Sequence, residues 1–372
     1  MSSRSIISPD DQKVTFVELF FDLVFVFSVT QVVGLLHEGI HWVSIGQGVL
    51  VFWLVWWAWT QFTWALNAAD TTHPVVALGT LVATAVAFFM AVALPDAFHD
   101  KAFWFALPYV VVRSVGLYLY AWVASQNPTQ KTAVGTFALL SSTGLVAVLV
   151  GGSLGGTAQY WAWGIAITLD VLAAAIAGQL EGWNLHPEHF AERHGLFVII
   201  ALGETLIVAA GGATGKSFAA ALVSIAVLAV LITCALWWSY FMRTKPILDH
   251  GLESSKGPTQ TRMARDSFSL LHFPMLCGVI AYAAAIEEAI VRPDEPLHLD
   301  ARLALAFGLV LFVGGMAGAV YRGSRKALRA RAVLSLVTAI GVVFLGGVPP
   351  FATLTVAFVG VLAIVVVEDR QP

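Results

Sequence analysis

Runs of about 20 apolar residues, broken by short polar stretches, recur along almost the whole chain. Twenty residues of α-helix rise about 30 Å, the thickness of a bilayer's hydrocarbon core. The pattern therefore predicts membrane-spanning helices over Val14–Leu36, Ile45–Leu66, Val75–Leu94, Ala102–Ala124, Thr132–Val150 and Tyr160–Gln179. It continues with Gly195–Ala210, Phe218–Met242, Phe268–Val291, Leu303–Val320, Ala332–Val348 and Phe351–Val367. The last two are short and divided only by Pro349-Pro350, so the pattern reads as twelve spans, or eleven if they merge. The largest polar stretch, Arg243 to Ser267, reads as a loop that is mobile or open to a partner. The predicted fold is all-α, a polytopic transmembrane helical bundle.

Composition supports this. Of 372 residues, 58% are hydrophobic and 12% charged, and mean hydropathy is +0.81. A soluble chain carries roughly twice that charge. A net charge of -3 offers no basic face for a nucleic acid. Cys234 and Cys277 fall inside apolar segments and read as small core residues rather than a disulfide. The first apolar stretch carries two acids and has no small-residue cleavage site behind it, so it reads as a span and not a secretory signal.

Basic residues between spans set the orientation. With the N-terminus inside, Arg4, Lys13, Lys131, Arg193, Arg243, Lys245, Lys256, Arg262, Arg265, Arg322, Arg325, Lys326, Arg329, Arg331 and Arg370 are inside. Only Lys101, Lys216, Arg292 and Arg302 fall outside. The bias predicts both termini in the cytoplasm, an even span count and a multi-pass protein of the cell inner membrane.

A faint internal repeat is legible. Trp56-Trp57-Ala58-Trp59 ends the second span, and Trp237-Trp238-Ser239-Tyr240 occupies the eighth. The third opens on His73-Pro74 and the ninth on His272-Phe273-Pro274, each followed by a glycine, Gly79 or Gly278, and each leaving through Pro-Asp. An offset of six spans predicts two parallel halves, residues 1–186 and 187–372.

Charge inside the spans points to function, because an ionised side chain in hydrocarbon is costly and rare. Glu18 and Asp22 are one turn apart on one face of the first helix. Arg113 and Asp170 fall near the centres of spans four and six, and Glu204 near the middle of span seven. Arg193 precedes Glu204 by eleven residues on nearly the same face, at the inner mouth. The expectation is that Asp22, Asp170 and Glu204 face one cation, Arg113, which leaves negative charge for a proton or cation to balance. The plainer reading is an Arg113–Asp170 salt bridge, with Glu18 capping its helix.

Other signals are set aside. Ala210 to Ser217 resembles a phosphate loop, but it follows a predicted membrane helix instead of a strand, so no nucleotide is expected. His186, His189 and His194, with Glu188 and Glu192, crowd the predicted loop before span seven. Their spacing matches no zinc motif, and they read as solvated. Gly314 and Gly318 read as a close helix contact.

Two segments resemble the motifs of a known family. Val17-Glu18-Leu19-Phe20-Phe21-Asp22-Leu23-Val24-Phe25-Val26-Phe27 is similar to the opening motif of the bacterial low temperature requirement A family. The run from His189 through Glu192-Arg193-His194-Gly195-Leu196-Phe197 to Gly203-Glu204 is similar to its second. The resemblance implies an integral membrane protein, linked by name to growth in the cold. Glu18, Phe20, Phe21, Asp22, Glu192, Arg193, Gly195, Leu196, Phe197, Gly203 and Glu204 match by position, and no catalytic role comes with them.

The leading expectation is a transporter- or channel-like protein moving a proton, an ion or a small solute. Asp22 and Glu204 would be the responsive carboxyls, Glu18 and Arg193 would line the inner mouth, Arg113 and Asp170 would tune the field or pair, and Glu192 joins the same proton-, ion- or substrate-responsive set. The alternatives are an intramembrane enzyme acting on a lipid-linked substrate through the same acids, and an interaction protein whose polar core sets helix register. The expected partners are membrane lipids and an ion or small solute, with no cofactor, metal or nucleic acid.

Overall fold

The computed structural model describes residues 5–9, 11–36, 41–180, 182–183, 185–215, 219–325 and 328–369, with backbone alone at 129 and 369. Arg4, Lys216, Ser217, Phe218, Lys326 and Arg370, named above, lie outside the described residues. Twelve helices follow one another: α1 (Phe16–Leu35), α2 (Trp42–Ala68), α3 (Pro74–Asp96), α4 (Ala102–Ala124), α5 (Pro128–Leu154) and α6 (Gly156–Ala177). The rest are α7 (Pro187–Ala213), α8 (Ala220–Ser254), α9 (Gly257–Val291), α10 (Leu299–Ser324), α11 (Arg329–Phe344) and α12 (Pro350–Asp369). Among the described residues, eleven are long and apolar enough to cross a membrane; α11, with 16 residues, is shorter. The only β-type pairing among the described residues is a bridge between Ile7 and Ala69.

Local chemistry explains the helix starts nearest the buried charges. Glu18 occupies the third position of α1 and reaches back to Thr15, taking its N–H and its hydroxyl at 2.9 Å each. That is half of a capping box, and it satisfies donors the first turn leaves free. Pro187 opens α7, where its missing N–H costs nothing. Upstream of α1, the chain is tied to the end of α2. Ser8 N–H donates to the Ala68 carbonyl at 3.0 Å, and Gln12 Nε2 donates to Leu66 O at 3.0 Å.

Two predicted loops are helical. The polar stretch Arg243–Ser267 is taken up by α8 and α9, which meet across Ser255-Lys256. Each runs 35 residues, about 52 Å, so their polar ends outreach the hydrocarbon. Averaged hydropathy hides this extension because its apolar residues are sparse, yet Leu248, Leu252 and Met263 are buried. A π-helical turn occurs in each, at Ser239–Thr244 and within Ala264–Leu270. The stretch before span seven is likewise the first two turns of α7.

The helices gather into two compact units. The first holds the chain to Val32, Gly46–His194 and Leu252–Arg265; the second holds Val33–Ile45, Gly195–Gly251 and Asp266 onward. In the first, α3, α4, α5 and α6 pack in sequence order, and Phe21, Phe25, Trp56, Trp59 and Trp163 are among its buried side chains. In the second, α9 to α12 also pack in order, and α12 returns against α8. Its α9–α10 crossing brings backbone against backbone. A Cβ on Gly278 would come within 2.5 Å of the Gly308 carbonyl, and one on Gly308 within 2.9 Å of the Gly278 carbonyl. Backbone meets backbone there, as small residues allow. The expected Gly314–Gly318 contact is different: Gly314 faces open space, and Gly318 meets only the Leu271 side chain. Gly308 and Gly315, seven positions apart, are the glycines on the packed face.

Candidate functional site

Four ionisable side chains meet inside the first unit. Glu18 and Asp22 come from the first two turns of α1, His189 and Arg193 from the first two turns of α7. All four are buried, with at most 1% of their surface exposed. The pairs ascend together. Glu18 Oε1 lies 3.0 Å from His189 Nε2, and the Arg193 guanidinium donates from Nη2 to Asp22 Oδ1. Each pair of partners is four residues apart on its own helix, so one turn of α1 matches one turn of α7. Arg193 Nη1 is also 3.7 Å from Glu18 Oε1.

Aromatic rings wall the cluster. The Trp59 indole N–H donates to Asp22 Oδ1 at 2.7 Å, and the Arg193 guanidinium lies 5.5 Å from the centre of a Trp59 ring. His194 stands edge-on to the same indole at 5.0 Å, its Nδ1 against the Phe190 carbonyl at 2.9 Å.

Asn67 sets the tautomer of His189. Its Oδ1 accepts the His186 N–H at 2.8 Å and its Nδ2 donates to the His186 carbonyl at 2.9 Å. Those two bonds orient the amide, so the contact from Nδ2 to His189 Nδ1 at 3.0 Å is a donation to the ring. Nδ1 is therefore an acceptor in this contact, and the ring's N–H is on Nε2, the nitrogen 3.0 Å from Glu18 Oε1.

This leaves a charge to be balanced. Ionised Glu18 and Asp22 carry two negative charges, and Arg193 supplies one permanent positive charge. Several polar atoms of the same cluster have no hydrogen-bond partner among the described residues: Asp22 Oδ2, Arg193 Nε and Arg193 Nη1. Buried polar atoms are nearly always paired, so such a concentration needs a physical reason. Asp22 Oδ2 is a carboxylate oxygen that no donor among the described residues faces, while Oδ1 accepts from both Trp59 and Arg193.

The other buried pair is complete. Arg113 on α4 grips Asp170 on α6 with both terminal nitrogens, at 2.9 and 2.8 Å. Tyr109, Gln61 and Ser141 take its remaining donors, and Ser141 also donates to Asp170 at 2.6 Å. Gln61 Nε2 closes the loop on the Arg113 carbonyl at 2.9 Å. A bidentate pair with every donor used sums to zero charge and has no open position.

Three expectations change. Arg113 is not the one cation facing the buried acids: it belongs to Asp170, while Arg193 serves Asp22. Arg193 does not line a wet mouth, being fully buried. Glu192, its neighbour, is exposed and outside the cluster. Glu204 is half-buried further along α7, in the second unit. On α9, Glu288 accepts the His298 N–H at 3.1 Å near the helix end. His189, Trp59 and Asn67 were not read as site residues. The signal for His189 was there, four residues before Arg193 as Glu18 is before Asp22, but the segment read as a loop and the histidines as solvated.

Comparison with known proteins adds a family. The chain is 28% identical, over 319 residues, to an uncharacterized protein of Rhizobium meliloti (strain 1021), an alignment that covers 82% of this chain and 76% of that one. No solved structure matches. The family described as bacterial low temperature requirement A protein (LtrA) matches residues 13–367, which takes in both halves of the Glu18–Asp22 and His189–Arg193 cluster. With its apolar helices and this match, the chain is a multi-pass membrane protein and belongs to the LtrA family.

Proposed function

We propose that this protein carries an ion or small solute across the cell's inner membrane together with a proton, and that the Glu18–Asp22–Arg193 cluster holds the proton. The observation that carries the reading is the sealed cluster with two carboxyls, one guanidinium and an imidazole held by Asn67. Such a site is charge-balanced with one proton bound and unbalanced without it. Losing the proton from a buried position must be accompanied by water entry or by a cation, which is the coupling a transporter needs. Arg193 limits the imbalance to a single charge, so one proton is enough to switch the site. Glu204 is the second responsive carboxyl, and the complete Arg113–Asp170 pair is a fixed strut.

The test uses purified protein in liposomes with a pH-sensitive dye inside. Asp22→Asn and Glu204→Gln are expected to abolish proton-coupled flux while both variants remain folded. Normal flux from both variants would overturn the reading. Turnover of a lipid-linked substrate without vectorial movement would move the protein to the enzyme class instead.

A further inference from the structure

The second unit carries an apolar groove between α10 and α11. Leu303, Phe307 and Val310 form one wall and Leu336, Ile340 and Phe344 the other, around a volume of about 230 Å³. The walls are half-open: Phe307 is 54% exposed, Ile340 50% and Phe344 83%. In water such a surface would be a liability, but on a membrane helix it faces acyl chains. No polar side chain lines it.

One end of the groove is charged. Arg302 immediately precedes Leu303 and donates from Nη1 to the carbonyl of Val343, the residue before Phe344. Its guanidinium lies against Gly346, just beyond the end of α11. Part of this is ordinary helix chemistry, since a cation suits the carbonyls that the last turn leaves free. That role uses one nitrogen. Nε is buried with no acceptor, and no carboxylate among the described residues pairs with the side chain. Asp300, two positions earlier on α10, projects about 200° away around the helix and is exposed.

We propose that this groove and Arg302 form a binding site for one anionic phospholipid, its acyl chain between α10 and α11 and its phosphate on the guanidinium. Charge complementarity selects the occupant. An apolar slot alone would take any lipid tail, but an uncompensated guanidinium at its end favours a headgroup with net negative charge. The length of α10 supports the assignment. Its 26 residues rise about 39 Å, more than the hydrocarbon thickness, so its first turn brings Arg302 to headgroup depth.

The experiment is native mass spectrometry on delipidated protein in detergent, titrated with phosphatidylglycerol and, separately, phosphatidylcholine. The wild type is expected to bind one phosphatidylglycerol in preference to phosphatidylcholine. Arg302→Gln should weaken phosphatidylglycerol binding about fivefold and leave phosphatidylcholine unchanged, the worth of one basic residue near a lipid surface. Arg302→Lys should keep most of the preference, and it serves as the charged control if the Gln variant melts early. Ile340→Trp fills the groove at an exposed position and should lower binding of both lipids. Wild-type selectivity in Arg302→Gln, or full binding by Ile340→Trp, would overturn the proposal. The readout is binding, so it stands or falls apart from proton flux.

Discussion

At the scale of single residues, the two buried ionic groups differ in completeness, and their stability effects should differ accordingly. Arg113 and Asp170 form a closed network in which every donor is used. Asp170→Asn strands the guanidinium in a dry interior and should cost about 3–5 kcal/mol, the usual penalty for breaking a buried pair. Asp22→Asn removes the charge that Arg193 leaves unbalanced with Glu18. The new amide still offers an oxygen to Trp59 and Arg193, so stability should change little. Denaturant titration of the two variants in detergent micelles checks this, and equal losses would show that both groups are struts. Glu18 and Asp22 were legible in the sequence because acids one turn apart in an apolar run have few innocent explanations. Their pairing was not: Arg193 reads from the sequence as a site residue at the inner mouth, and His189 as solvated. His189 and Arg193 belong to a polar segment, and only the helix that Pro187 starts turns them into a matching i, i+4 face. Asn67, far away in sequence, has no signature at all; it acts through the backbone of His186.

At the scale of elements, what hydropathy reads is the apolar centre of each helix. All twelve predicted spans fall on helices, but the ends of α7, α8 and α9 extend well beyond them. The extensions are polar on one side and packed on the other, which a window average reports as loop. Contact between helices was less legible than their existence. Gly314 and Gly318 have the familiar spacing, yet the crossing of α9 and α10 uses Gly278 and Gly308. Spacing identifies a small-residue stripe, while the face that packs depends on rotation about the helix axis. Gly278→Ala or Gly308→Ala forces a methyl onto backbone atoms that cannot give way and should cost about 1–3 kcal/mol. Gly314→Ala meets open space and should be neutral or slightly stabilising through helix propensity. Melting temperatures of the three purified variants separate these outcomes, and a destabilised Gly314→Ala would contradict the packing.

At the scale of the whole molecule, the remaining question is whether α11 crosses the membrane, because parity decides where the C-terminal end lies. Alone, its 16 residues are too few. Its neighbour argues otherwise. Arg331, at the start of α11, pairs with Glu368, near the end of α12, and also donates to Thr244 at 2.8 Å. The Gly360 backbone packs against Thr338 further along the hairpin, and the turn at Gly346-Gly347 returns the chain into Pro350. Two antiparallel helices in register traverse the same thickness, so α11 crosses if α12 does, with the bilayer thinning or the flanking side chains reaching out to meet the shortfall. Twelve crossings then restore the even parity that the basic residues require. In a background lacking Cys234 and Cys277, single cysteines placed by Gly347→Cys and Glu253→Cys should react from opposite sides of the membrane with an impermeant maleimide. A cysteine at Gly347 labelled from the cytoplasmic side would show that α11 turns back within the bilayer, and the parity argument for cytoplasmic termini would go with it.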